Sequence, residues 1–246
     1  MQDYISKHKK SFIIAGILVF VLVFIPALDR FKYAFFDNVH RAAEDRSTVR
    51  LQKVLPKTKD IDGRDKQGKS ALQEASAILL DINIARFLIK HGANVNQKSK
   101  EGVPLITEIL LNQKYNNRKE QMMILFMASG ADINATDSNG NTPLIAVTAS
   151  MPIEILNLVM KYNPDVNVLN NSGETALYKA VMKGDIRAAR VLLENNADCN
   201  MVTKSGTTLW DIVNASKKFD FVALLKKYNA KSTQQVQSEI SANAPK

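Results

Sequence analysis

Cysteine occurs once in the 246 residues, at Cys199, and histidine three times. A lone thiol closes no disulfide within the chain and builds no cysteine metal site, so neither an oxidising nor a reducing compartment is indicated. His8 flanks an apolar run, His40 sits in VHRAAED and His91 in KHGANVN, and structural roles are expected for the last two. No glycine-rich phosphate loop follows a strand and no serine occupies a nucleophile elbow. Asp132 and Asp137, with their neighbouring asparagines, miss the D-x-[DN]-x-[DN]-G spacing of a calcium loop and read as turn formers. Acidic residues are outnumbered, 24 against 33 basic ones, for a net charge of +9. The lysines alternate with acids instead of gathering on one face with aromatics, which argues against nucleic-acid binding. The expectation is a non-enzyme needing no metal and no cofactor.

What is present begins with an apolar run. SFIIAGILVFVLVFIPAL, residues 11–28, would span roughly 26 Å as a helix, slightly under a bilayer core of about 30 Å. The basic tail 1–10 precedes it, and an aromatic juxtamembrane segment, 29–36, follows with Phe31, Tyr33, Phe35 and Phe36. Such rings favour the headgroup level. The run predicts a retained transmembrane helix or signal anchor. A cleaved secretory signal and a buried core helix are the alternatives, and the small residues cleavage requires are poorly supplied by Ile25-Pro26-Ala27. Lys7, Lys9 and Lys10 lie nearest the run, which places the N-terminus in the cytoplasm and exports the remainder, although Arg30, Lys32 and Arg41 nearly balance them.

Beyond residue 36 the chain repeats itself. Glycines recur at Gly68, Gly102, Gly140, Gly173 and Gly206, at spacings of 34, 38, 33 and 33. Six residues before each stands Asp62, Asn96, Asn134, Asn167 or Asn200, and 37–62 aligns without gaps on 175–200. That is a solenoid period. It divides 37–231 into six units: 37–62, 63–96, 97–134, 135–167, 168–200 and 201–231. Ser70, Thr142, Thr175 and Thr207 are expected to cap the first helix of their units, with Pro104 and Pro143 at the first helical position. Gly92, Gly130, Asn163 and Asn196 suit a left-handed cap after the second helix. The tail 232–246 is polar and expected to be disordered.

The strings NGNTPLIAV, LIKHGANVN, FMASGADIN and SGETALYKA resemble those of ankyrin repeat proteins, and the resemblance covers roughly 80% of the chain. It implies an all-α repeat fold, an ankyrin solenoid of about six helix-turn-helix units with β-hairpin-like loops, here preceded by a single transmembrane helix. The histidine of the family's TPLH motif, which ties neighbouring repeats together, is replaced by Gln73, Ile106, Ile145, Tyr178 and Trp210. The first unit reads as an N-terminal cap, and the lysines of the last (Lys217, Lys218, Lys226 and Lys227) suit an outer face with no neighbour.

The resemblance also implies a protein partner docked on the hairpin tips and the inner face of the first helices. In the second and third units that face comprises Lys66, Gln67, Lys69, Lys100 and Glu101. In the fourth and fifth it comprises Ser138, Asn139, Asn141, Asn171, Ser172, Glu174 and Lys183, and in the last Lys204 and Ser205. Tyr178 and Trp210 are candidate anchors, or else packing between repeats. The excess of the 38-residue spacing falls in LLNQKYNNRKEQ, so Tyr115 and Arg118 belong to an outward bulge. Charge reversal at Lys100, Lys183 and Lys204 should weaken partner capture without unfolding the protein. By analogy with tethered bacterial ankyrin arrays, the expected role is a periplasm-facing immunity protein at the inner membrane, blocking a secreted toxic effector such as a lipase. The alternatives are an envelope scaffold or assembly adaptor, for example in oxidative stress protection, and a cytoplasm-facing adaptor.

Overall fold

The computed structural model describes residues 39–113 and 117–242. Helical residues 39–44 (α1) and Thr48–Val54 (α2) form the first unit. In the second, Ala71–Gln73 (α3) runs on into a π-helical turn, Glu74–Ile78, before Ile82–Lys90 (α4). Four further pairs follow: Leu105–Leu111 (α5) with Asn117–Ala128 (α6), Pro143–Ser150 (α7) with Ile153–Met160 (α8), Ala176–Lys183 (α9) with Ile186–Glu194 (α10), and Leu209–Ala215 (α11) with Phe219–Lys227 (α12). First helices pack on first helices along the array, and α2–α4, α4–α6, α8–α10 and α10–α12 do the same in the second layer. Between the layers lie Leu72, Leu88, Ile109, Met122, Phe126, Ile155, Leu177 and Leu192, all buried. Each such side chain contributes about 1.5–3 kcal/mol on leaving water, so burial across units rather than within one supports the fold.

Local chemistry explains the boundaries. Ser70, Thr142 and Thr175 accept the backbone N–H three residues on, from Gln73, Ile145 and Tyr178. The last unit is capped by Thr208 and not, as the sequence reading has it, by Thr207. The Thr208 hydroxyl donates to Asp211 Oδ2 at 3.3 Å instead of accepting a backbone N–H. Pro104 likewise stands at the cap of α5 and not inside the helix, as Pro143 does in α7. These caps move the motif's fourth position to Thr107 and Asp211, so Ile106 and Trp210 are not the histidine replacements in their units. Gly92, Gly130, Asn163 and Asn196 take φ values of 95, 83, 48 and 65°, the left-handed caps that let the chain reverse.

The aspartate or asparagine preceding each glycine by six residues stitches one unit to the next. Asn96, Asn134, Asn167 and Asn200 accept the backbone N–H of Asp132, Asp165, Asp198 and Lys231 through Oδ1, at 2.7–2.9 Å. Through Nδ2, Asn96, Asn167 and Asn200 also donate to the carbonyls of Gly130, Asn196 and Asn229. Asp62 only accepts, from Asn94 N–H, and burial pushes its carboxyl above the usual range.

At the C-terminus the expected disordered tail is replaced by a helix, Thr233–Ala242 (α13). Thr233 N–H donates to Asp211 Oδ2 at 2.7 Å and its Oγ1 accepts Thr208 N–H at 3.0 Å, which anchors the helix start on the last unit. The apolar run 11–28, its flanks 1–10 and 29–36, and Tyr115 lie outside the described residues. Among the described residues no helix is long and apolar enough to cross a membrane.

Candidate functional site

Each hairpin tip is built by one short polar residue. Asp65 Oδ1 accepts the N–H groups of Gln67 and Lys69, Asp137 those of Asn139 and Asn141, and Asn170 those of Ser172 and Glu174. Single antiparallel bridges (Arg64 with Ser70, Lys98 with Pro104, Val202 with Thr208) close the loops.

The tips then bond to one another and form a ridge. Asn171 N–H donates to Asn139 O at 2.9 Å and Asn171 Nδ2 to Ser138 O at 3.0 Å. Ser138 Oγ donates to Glu101 O, Lys98 Nζ to Thr136 O, and Lys204 Nζ to Asn171 O. The backbones approach so closely that a Cβ at Gly140 would stand 2.8 Å from Asn171 N, and one at Gly173 2.9 Å from Lys204 N. Glycine is required at these two positions by contact as well as by positive φ.

This ridge sorts the predicted residues. Asn141, Asn171, Glu174, Lys183 and Lys204 spend their side-chain polar groups within the array. Asn141 Oδ1 accepts from Asn170 Nδ2, and Glu174 accepts from Asn170 and Lys179. Lys183 Nζ donates to Thr148 O and Met151 O, where α7 ends, so it satisfies open carbonyls of the neighbouring unit. Reversing Lys183 or Lys204 would therefore remove bonds between units as well as charge from the surface. Tyr178 and Trp210 are half-buried against the core, the packing alternative of the sequence reading. Lys66, Ser138, Asn139, Ser172 and Ser205 remain exposed along the tips, and Arg118 is exposed on α6.

Four others converge. Gln67, Lys69, Lys100 and Glu101 line a cleft of about 290 Å³ between the second and third units. Gln73, Ile78 and Glu108 complete it, and sequence reasoning did not assign them to the site. Gln73 Nε2 donates to both carboxylate oxygens of Glu108, at 3.0 and 2.8 Å. Burial pushes the Glu108 carboxyl above its ordinary range, against the pull of the Gln73 bond. Lys69 pairs with Glu74 at 3.7 Å, and its carbonyl bonds His40 Nε2 at 2.8 Å. Ile78 is 37% exposed at the edge of this polar setting. The cleft thus offers an apolar side chain, a cation from each side and two carboxylates. The expected partner face supplied Gln67, Lys69, Lys100 and Glu101, and the TPLH slot singled out Gln73. The approach of Ile78 and Glu108 depends on stacking.

Comparison with known proteins agrees with the fold. A family model described as ankyrin repeats (3 copies) matches residues 110–203, and one for a single ankyrin repeat matches 67–100. An ankyrin repeat protein of fowlpox virus (strain NVSL) is 32% identical over 157 residues, 51% of this chain and 80% of the relative. A second fowlpox ankyrin protein is 39% identical over 25% of this chain and 14% of its own length. A cowpox virus (strain Brighton Red) ankyrin repeat domain-containing protein is 32% identical over 39% of this chain and 13% of its own. The chain belongs to the ankyrin repeat family, whose members are in general non-enzymatic protein-interaction modules.

Inner-membrane, periplasm-facing placement is corrected by the same findings. No described helix is long and apolar enough to span a bilayer, and these relatives are ankyrin proteins of poxviruses, not of bacteria.

Proposed function

We propose that the chain is a protein-binding adaptor whose partner docks on the ridge of hairpin tips and the first-helix side of units two and three, centred on the cleft between Gln67 and Glu101. The observation that carries this reading is the convergence of Gln67, Lys69, Lys100, Glu101 and Ile78 on one depression of this face. A surface held by its own hydrogen bonds loses little conformational entropy on binding, so modest contact area is converted efficiently into affinity. The bacterial immunity reading drew its toxic effector from a tethered, exported array, and with that location corrected the adaptor reading is the one retained.

The test is site-specific photocrosslinking. Benzoylphenylalanine at position 67 should yield a discrete adduct with a partner in a lysate of the source cells, lost on adding Lys100→Glu with Ile78→Ser. The same probe at position 187, on α10, should yield none. Equal crosslinking from both positions would place recognition elsewhere.

A further inference from the structure

On the side formed by the second helices, a groove of about 600 Å³ separates α4 from α6. Asp81 and Arg86 line one wall, Arg118, Gln121 and Ile124 the other, and Arg46 of the first unit joins them. The guanidinium groups of Arg46 and Arg86 face one carboxylate of this lining, Asp81, and that carboxylate is already engaged. Asp81 Oδ1 accepts the N–H groups of Asn83 and Ile84, while Oδ2 lies 3.8 Å from Arg46 Nε. Among the described residues no carboxylate pairs with Arg86. Ile124 is 55% exposed in the middle of this cationic setting.

The array contains its own control. A groove of about 390 Å³ occupies the equivalent place between α10 and α12. Arg190 stands six residues before the left-handed Asn196, as Arg86 does before Gly92. Counting back from Asn229 and Gly130 in the same way puts Asp220 where Gln121 stands and Ala223 where Ile124 stands. Repeat geometry therefore accounts for a depression and an arginine at both places. The α10–α12 groove holds Asp220 and the small Ala223 at these two positions, with Lys227 beside them. The α4–α6 groove has a neutral amide and an exposed β-branched side chain there, and Arg46 of the first unit is added to its rim.

We infer that the α4–α6 groove binds a protein segment in which apolar side chains are flanked by carboxylates. The apolar groups cover Ile124, and the carboxylates pair with Arg86 and Arg46, whose planar forks suit two-point hydrogen bonding. This surface lies on the other layer from the cleft assigned to the adaptor partner, and neither reading requires the other.

A fluorescein-labelled octapeptide, Gly-Asp-Glu-Leu-Phe-Glu-Asp-Gly, titrated with the full chain and followed by anisotropy, tests the inference. Arg86→Glu and Ile124→Ser should each weaken binding at least tenfold, about 1.4 kcal/mol, and Arg86→Gln should fall between. Replacing Leu-Phe in the peptide by Ser-Ser should also weaken it tenfold. Arg190→Glu and Lys100→Glu should leave the affinity unchanged. Melting curves on each variant separate unfolding from lost contact. The inference is overturned if the wild-type chain does not bind the peptide, if Arg86→Glu and Ile124→Ser bind within twofold of wild type while folded, or if Arg190→Glu is as damaging as Arg86→Glu.

Discussion

Lys119 is a cation with no exposed surface, placed one turn before the core of α6. Its Nζ donates to Leu110 O at 2.9 Å and to Asn112 O at 2.5 Å, the open carbonyl end of α5, where positive charge meets the negative pole of the helix. Burial pushes its pKa down to about 8 from 10.5. Between these values the unfolded chain holds a proton that the folded chain has released, so unfolding free energy rises with pH across that window. The cost of burying the cation is fully present below about 8. Lys119→Met should remove the rise. In urea titrations wild type should gain on the variant by up to about 1.4 kcal/mol per pH unit between pH 8 and 10.5, and a constant difference would show that the ammonium keeps its charge throughout. In the sequence this residue is one more lysine in a polar insertion. Its role is visible only once α6 is extended by a turn over the end of α5.

The elements owe their regularity to the ladder of asparagines. Each position before a hairpin glycine supplies an acceptor to the next unit, and Asn96, Asn167 and Asn200 supply a donor as well. Asp62 departs from the pattern, since a carboxylate has no donor and its charge is partly desolvated. Asp62→Asn should therefore stabilise the protein by about 0.5–1 kcal/mol, one added neutral hydrogen bond, read as a higher denaturation midpoint with unchanged slope. A lower midpoint would mean that the bonds of Asn94 N–H and Gln97 Nε2 to this carboxylate depend on its charge. The period of this ladder was legible because backbone turns demand asparagine and glycine at fixed offsets. Cap positions were less so: Thr207 and Thr208 are both plausible caps by composition, and the choice rests on the offset of two residues from the hairpin glycine that Ser70, Thr142 and Thr175 share with Thr208.

At the scale of the molecule, an array of stacked units has ends, and an end unit has one neighbour instead of two. α13 partly compensates at the C-terminus through the Thr233–Asp211 and Thr208–Thr233 bonds, together with Lys231 N–H on Asn200. Truncation after Lys231 should accelerate amide hydrogen exchange across 201–231 and leave 135–167 protected. Uniform acceleration would mean that the array unfolds as one cooperative block. What could be read in advance was whatever recurs along the chain: the period, the left-handed caps at Gly92, Gly130, Asn163 and Asn196, the ankyrin family and its protein-binding character. These depend on backbone conformations that few residue types adopt. The assignment of surface residues to bonding or to recognition could not be read in advance. Lys100 faces a cleft while Lys183 closes the neighbouring α7, although both are lysines on the predicted face. Which carbonyl or carboxylate a flexible cation meets depends on how two units stack, and that contact joins residues more than thirty positions apart.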